Sequence, residues 1–275
     1  MRVAVVGHVE WIEFAEVPRV PLPGEIVHAD RSFQLPAGGG AVAARQLARL
    51  AGEATLYTAL GDDPVGHRCE RELSELGLRI RAAYRDEEQR RGFVYLDSAG
   101  ERTITVLGPR LGPAGGDPLP WGELDETSAV YLTAGDVEAV RQARRAGALV
   151  ATARALAALT EARVELDALV ASGNDPGERY DPGDLDPPPR YVVRTKGGDG
   201  GEWESASGES GRWEPTPLPG PVKDSYGCGD SFAAGLTYGL GSGLPIGDAV
   251  ELAARCGAAC LTGRGPYEVQ LQLAQ

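Results

Sequence analysis

The chain has 275 residues, with 27 Lys and Arg against 40 Asp and Glu and a formal charge of -13. That balance, with a pI near 4.8, argues against a nucleic-acid groove or an anionic membrane surface as partner, but not against a small phosphorylated ligand, which needs only local positive potential. A hydrophobic fraction of 42% excludes disorder, and a single α/β core can extend over this length.

Residues 3–6 read as a buried strand ending in a turn at Gly7, too short for a signal peptide. Residues 11–36 are extended and alternating. Residues 41–51 carry the three-and-four apolar spacing of an amphipathic helix, and a strand at 55–60 and a helix at 64–76 follow. Residues 92–107 alternate again, with a hairpin turn at Asp97-Ser-Ala-Gly100. Next come a strand at 130–133, a helix at 137–146 and strands at 149–152, 168–171 and 191–195. Helices at 230–238 and 245–262 close the chain. Pro-, Gly- and acid-rich stretches at 112–120 and 175–189 read as loops. This rhythm predicts a mostly parallel sheet covered on both faces, in one domain over 1–275. The two alternating stretches form a small β-layer. It is a lid at the carboxyl ends of the strands, a pair of surface hairpins or a dimerisation sheet, and these readings stay open.

Cys69, Cys228, Cys256 and Cys260 include no C-x-x-C pair, and His8, His28 and His67 are scattered, which is no pattern for zinc. A reduced, cytoplasmic protein is the expectation. No apolar run reaches the ~18 residues of a membrane helix.

The strongest chemical signal is Asp224-Ser-Tyr-Gly-Cys-Gly-Asp-Ser-Phe-Ala-Ala-Gly235. A turn, Gly227-Cys228-Gly229, opens directly into a helix-forming run. Unpaired amides at a helix start bind anions, and glycine lets the backbone approach them closely. Asp230 falls in the first turn, where the helix dipole favours its ionised form. One acid beside an oxyanion cradle suits phosphoryl transfer to an alcohol. The acid takes the hydroxyl proton and the amides hold charge on the transferred group. Taken alone, Gly-x-Gly-Asp reads more simply as a turn followed by a helix-start acid.

The twelve-residue stretch resembles the D-T-x-G-A-G-D-x-F-x-x-G signature of the ribokinase-like (PfkB) carbohydrate kinases, with Ser225 for Thr and Cys228 for Ala. Three further stretches match in the family's order. Pro36-Ala-Gly-Gly-Gly-Ala-Val-Ala-Ala-Arg-Gln-Leu-Ala-Arg-Leu50 resembles the N-terminal glycine signature. Gly61-Asp-Asp-Pro-Val-Gly66 resembles G-x-D-x-x-G, and Thr195-Lys-Gly-Gly-Asp-Gly200 resembles T-x-G-x-x-G. The resemblance implies a ribokinase-like, Rossmann-type three-layer α/β core and a small β-sheet lid formed by about 11–36 and 92–107. It implies ATP as donor, Mg²⁺, in many relatives K⁺, a sugar or nucleoside as acceptor, and a homodimer through the lid. Asp230 would be the base, and the amides of Gly227, Cys228 and Gly229 the anion hole. Thr195, Gly197 and Gly200 would face the nucleotide, Gly38 and Gly39 would line the acceptor pocket, and Asp224 and Ser225 would belong to the monovalent-cation loop.

Several positions depart from the family pattern. Val42 stands where the glycine signature carries a sugar-binding Asn, and Ile12 where relatives carry a sugar-binding Asp. Glu10 or Glu13 substitutes if the strand is shifted, and both also read as solvent-facing acids. Trp11 is a further ligand candidate. The N-x-x-E stretch that organises Mg²⁺ aligns with Ser172-Gly-Asn-Asp175. That leaves Asp175 as the metal carboxylate, with Asn174 and Glu178 as a looser pairing. Ala254 replaces an Asn near the adenine. Arg154 reads as solvated or as a phosphate contact, Cys228 as a small or a reactive thiol, and Trp203 and Trp213 as packing or base-stacking residues. Cys256 and Cys260 read as packing residues. The departures leave an alternative function: a catalytically inactive relative that binds a sugar or nucleotide as a sensor or partner. No G-x-G-x-x-G follows the first strand, and no Walker A loop or Ser/His/Asp arrangement supports other chemistry.

Overall fold

The computed structural model describes residues 1–273. The chain opens with β1 (Val3–Val6), β2 (Glu10–Glu16), β3 (Arg31–Ala37), α1 (Gly39–Ala51), β4 (Thr55–Gly61), α2 (Pro64–Glu75) and β5 (Arg79–Arg85). It continues with β6 (Arg91–Leu96), β7 (Arg102–Leu107), β8 (Ala129–Leu132), α3 (Val137–Ala143), β9 (Ala148–Thr152), α4 (Leu156–Ala162), β10 (Ala168–Ser172) and β11 (Tyr191–Thr195). A hairpin, β12 (Gly201–Ser205) and β13 (Ser210–Trp213), precedes α5 (Cys228–Gly241) and α6 (Ile246–Leu261).

Nine strands form one sheet in the order β13-β12-β11-β10-β9-β8-β1-β4-β5. Seven of them, β11 through β5 in that order, pair in parallel; β12 and β13 pair antiparallel at one edge. Successive residues point to opposite faces, and both faces are buried. Val3, Val5, Leu56, Tyr131 and Val150 pack under α1, α5 and α6. Ala4, Val6, Tyr57, Val130 and Leu149 pack with α3, α4 and Trp121. Two buried faces explain why these strands read as unbroken apolar runs.

The strand order reverses beside β1. The chain leaves β1 toward β4 and β5, then returns to β8 and proceeds outward through β9, β10 and β11. Such a switch point opens a crevice at the carboxyl ends of the strands. The amino end of α5, which packs on β8 and β9, points into this region.

The remaining strands form a second sheet, β3-β2-β6-β7. Its inner face carries Ile12, Phe14, Val94 and Leu96, packed on Val42 and Tyr226 of the core. Phe14 stacks on Phe33 at 4.6 Å and meets Tyr226 edge-on at 5.1 Å. Its outer strand β7 is exposed along its whole length. The stretch 17–30 between β2 and β3 contains no strand. Among the described residues no helix is long and apolar enough to cross a membrane.

Three elements differ from the sequence reading. β5 was not expected: Arg79-Ile-Arg-Ala-Ala-Tyr-Arg85 is an edge strand whose arginines mask the apolar pattern. Ala-rich α4 has too few large apolar residues to show a helical period. α3 ends at Ala143, three residues short of the expected end, because the chain must turn into β9 at Ala148.

Candidate active site

The carboxyl end of β1 continues as Gly7-His8, and α1 begins against it. A Cβ at Gly7 would lie 2.3 Å from Thr133 Oγ1, and one at Gly40 would lie 2.6 Å from the His8 carbonyl. Only glycine allows the β1 turn, the start of α1 and the end of β8 to meet this closely. Gly38 sits at φ 86°, a conformation that suits glycine, and its N–H donates to the Tyr226 hydroxyl at 3.2 Å. Gly39 is next to the expected base: a Cβ there would lie 2.7 Å from Asp230 Oδ1. The glycine signature and the Asp230 motif, far apart in sequence, therefore meet.

At the start of α5, Gly227 is in the left-handed region, and no side chain caps the helix. The first backbone bond back into the turn is Ser231 N–H to Gly227 O. The amides of Cys228 and Gly229 are thus left for an anion. A Cβ at Gly229 would meet nothing within 4 Å, and the same is true at Gly198. These are open surfaces that a phosphate chain can approach. Asp230 titrates at about 7, pushed up mainly by burial and then by the carboxylate of Glu178, against the pull of Arg102 and Arg154. An acid poised near neutrality can accept a proton in the forward step and release it afterwards.

His8 completes the floor. Its Nε2 accepts from Gly39 N–H at 3.4 Å, so its Nδ1 carries the proton and faces Thr133 Oγ1, also at 3.4 Å. Burial, and then the charges of Arg110 and Arg90, lower its pKa to about 3, so the ring is neutral. Sequence reasoning passed over His8 because a single histidine after a strand carries no pattern. Its neighbour Glu10 is buried beside it. Arg90 Nε lies 2.7 Å from Glu10 Oε1, and burial raises the Glu10 pKa despite the attraction of Arg90.

The G-x-D-x-x-G motif supports this corner. Asp63 caps α2 through the amides of Val65 and Gly66, at 2.8 and 2.7 Å, and accepts a third bond from Gln89 N–H at 2.7 Å. Gln89 in turn accepts from Gly61 N–H and donates to the Val9 carbonyl. Trp11 N–H then binds the Arg90 carbonyl at 2.9 Å. The motif fixes the strand register that presents Arg90 to Glu10.

Trp11 does not line the acceptor pocket. It lies on the opposite face of β2 from Glu10 and Ile12, is 6% exposed within the core, and is covered by the Arg68 guanidinium at 4.3 Å. Ile12 and Val42, the two departures from the sugar-binding pattern, prove to be neighbours in one apolar cluster, both fully buried. Val42 also abuts Gly227, where a Cβ would lie 2.9 Å from its Cγ1.

On the other side of Asp230, Thr195 ends β11. Gly173 N–H donates to its carbonyl at 2.8 Å, which joins the loops after β10 and β11. Gly197 and Gly200 have φ of 59° and 78°, and a Cβ at Gly200 would lie 2.1 Å from the Trp213 carbonyl. Trp213 stacks on Phe232 at 5.5 Å; it is a packing residue. Asp175 accepts from Gly177 N–H at 2.8 Å and caps a short turn there. Its other oxygen, together with Glu178, is engaged by Arg154. Asp230 feels the charge of Glu178 most among the acids, and that of Glu10 after it. Asp175 and Glu178 supply the hard oxygens that Mg²⁺ prefers. Among the described residues no three His, Cys, Asp or Glu side chains form a ready-made metal cage. A magnesium ion here would depend on one or two carboxylates, phosphate oxygens and water.

A bound K⁺ fits less well. Asp224 Oδ1 accepts from Tyr226 N–H at 2.8 Å and Oδ2 from Gly265 N–H at 3.0 Å. Arg102 donates to the Ser225 carbonyl, and its charge is also felt by Asp224. An arginine of the second sheet thus occupies the loop where the family resemblance implied a monovalent cation. The Cys228 thiol is pushed well up by its hydrogen bond with Cys260 and by burial, so it is not a reactive thiolate.

The family model for the pfkB family of carbohydrate kinases matches residues 1–172 and 187–272. The chain belongs to the pfkB family. A fructokinase of Klebsiella pneumoniae is 27% identical to this pfkB kinase, covering 88% of this chain and 92% of that one. An ATP-dependent ribose-1-phosphate kinase of Halopiger xanaduensis is 29% identical, covering 94% and 91%. The crystal structure of a ribokinase from Cryptococcus neoformans var. grubii in complex with ADP superposes with a TM-score of 0.74. It is 22% identical and covers 98% of this chain and 97% of that one. This pfkB chain therefore has the ribokinase-like fold: the large mostly parallel sheet and the separate small sheet.

Proposed function

We propose that this kinase transfers the γ-phosphoryl group of ATP to a hydroxyl of a sugar or sugar derivative bound between the small sheet and the carboxyl ends of the parallel strands. The observation that carries the reading is the position of Asp230. It touches Gly39 on the acceptor side, stands in the first turn of an uncapped helix, and titrates near neutrality. The two named relatives act, by their names, on fructose and on ribose 1-phosphate.

The Asp230 carboxylate accepts the proton of the acceptor hydroxyl. The hydroxyl oxygen forms its bond to the γ-phosphorus as the bond to the β-phosphate oxygen breaks, and ADP leaves. The amides of Gly227, Cys228 and Gly229 stabilise charge on the transferred group, and do so most strongly where water is excluded. Neutral His8 orients the Gly39 amide. The small sheet serves as a lid that excludes water. Thr195, Gly197 and Gly200 flank the nucleotide. When bound with the nucleotide, Mg²⁺ neutralises phosphate charge; Glu178 and Asp175 are the carboxylates that would hold it, largely through water.

The test is ADP release over a panel of sugars, sugar phosphates and nucleosides, with Asp230→Asn run alongside. Turnover should fall by about 10³-fold or more in the variant while nucleotide binding survives. Near-normal turnover by the variant would remove Asp230 from its role. The binding-only reading has less support, because a binder needs no acid tuned to neutrality against the acceptor glycine.

A further inference from the structure

We propose that Arg102, carried by the second sheet, takes the place of the monovalent cation at the loop that leads into the anion hole. Seating that sheet on the core then supplies a charge that the family resemblance assigned to K⁺. The replacement stands by itself, and its consequence for turnover rests on the kinase reading above.

The loop from Asp224 to Gly227 has little left to offer an ion. Both oxygens of Asp224, which is 1% exposed, accept backbone N–H groups. The Tyr226 carbonyl faces the Cys260 thiol at 3.5 Å. The Ser225 carbonyl accepts from an N–H of the Arg102 guanidinium. A guanidinium is always charged and brings its own donors, so it satisfies such a carbonyl with no ion in between. Of the side-chain oxygens in this loop, Ser225 Oγ is buried without a partner. One hydroxyl is too few to hold a cation while Arg102 is in place.

A built turn delivers Arg102. Asp97 Oδ1 accepts from the N–H groups of Ala99 and Glu101 at 2.9 and 3.0 Å, which closes the tip of the β6–β7 hairpin. Gly100 in that tip has φ 79°, and its carbonyl accepts from Ser225 N–H at 3.3 Å. A Cβ at Gly100 would lie 3.2 Å from the Lys223 carbonyl. The hairpin tip and Arg102 thus hold both backbone groups of Ser225. Glu16, an acid whose charge Asp224 feels, is paired with Arg264 at 2.7 Å. Arg102 forms no ion pair among the described residues, so its charge is left for the loop.

The effect reaches the chemistry. One residue separates Ser225 from Gly227, whose φ of 81° aims the Cys228 and Gly229 amides. Asp224, Tyr226, Cys228 and Asp230 all feel the Arg102 charge. Arg102 is a positioning residue: it fixes this loop and touches no reacting atom. Because β7 is exposed, solvent screens the charge, and most of the effect comes from the bond to the carbonyl. The residue belongs to the second sheet, so the loop is fixed only when that sheet lies on the core. Closure over the acceptor and completion of the anion hole become one event.

The experiment compares the full chain with its Arg102→Ala variant in chloride buffers of K⁺, Na⁺ or guanidinium, the last too dilute to denature. The first readout is a thermal melt. K⁺ at about 0.1 M should raise the melting temperature of Arg102→Ala by about 2–4 °C over Na⁺ and leave wild type unmoved, because only the variant has a freed Ser225 carbonyl beside Asp224. The second readout is ADP release at saturating acceptor and ATP. In Na⁺, Arg102→Ala should lose about tenfold in kcat, as for one charged hydrogen bond, and K⁺ or guanidinium should restore most of it. Arg102→Lys, which keeps the charge, should lose less. A variant that melts alike in K⁺ and Na⁺, or a wild type that K⁺ stabilises, overturns the replacement. Unchanged kcat in Na⁺, or a loss that neither ion restores, overturns the positioning role. If wild type turns over no acceptor at all, the kinase reading falls and the positioning role with it, while the melt still decides the replacement.

Discussion

Gly39→Ala is the most direct probe of the joint between the acceptor loop and the base. Gly39 has an ordinary φ, so alanine meets no backbone strain there. The added methyl would lie 2.7 Å from Asp230 Oδ1 and 3.4 Å from His8 Cε1. An ordinary carbon–oxygen contact needs about 0.7 Å more than the shorter distance. His8 is at its contact limit, so the Asp230 carboxylate must move. A displacement approaching 1 Å at a reacting group costs up to about 10²-fold in rate. The expected fall in kcat is therefore about 10- to 100-fold, or about 1.4–2.7 kcal/mol of transition-state stabilisation. Folding should hardly respond, because alanine is the better helix former at the first residue of α1. The assay is ADP release at saturating acceptor and ATP, with a thermal melt of the same preparation. Unchanged kcat with an unchanged melting temperature would refute the contact and, with it, the claim that Gly39 is glycine for the sake of Asp230.

Four other outcomes follow from the same structure. Asp230 must be ionised to act, and its pKa is raised to about 7, so kcat/KM should fall about tenfold per pH unit below about pH 6; a flat profile down to pH 5 would contradict this. Because the folded state holds that proton more tightly than the unfolded chain, the proton bound between 3.8 and about 7 stabilises the fold, and this contribution is lost as pH rises through the folded value. Asp230→Asn should thus melt higher than wild type at pH 8 and lose the advantage near pH 5, as differential scanning calorimetry can show. Asp63→Ala removes the α2 cap and the bond to Gln89; urea unfolding should show a loss of about 2–3 kcal/mol. With Arg102 already on the Ser225 carbonyl, exchange of K⁺ for Na⁺ should alter the rate by less than about twofold, since no ion supplies that charge; a strong K⁺ requirement would show that Arg102 swings away in the working enzyme.

Much of the proposed catalytic apparatus is local in sequence and could be read there. The Gly227–Gly229 turn, the start of α5 and Asp230 lie within one turn of helix. Backbone geometry alone requires glycine at φ 81° and exposes the amides that follow. The parallel strands are buried on both faces and so appear as short apolar runs. The acceptor side was not legible in this way. Ile12 and Val42 looked like two separate losses until packing made them one cluster. Trp11 looked like a ligand residue until the pleat of β2 turned it into the core. β5 escaped notice because it is an edge strand carrying three arginines.

The Glu10–Arg90 pair sets the limit most clearly. Arg90, which meets the buried Glu10, is one of many arginines that pair with acids, most of them at the surface, and the letter is the same in either place. A glycine turn announces its geometry within three residues. A charge becomes part of a site only through its burial and its distance to other groups. Those properties arise when the sheet order brings the ends of β1 and β8 beside the second sheet, so the surroundings of Glu10 and Arg90 were decided by chain crossings that leave no local pattern.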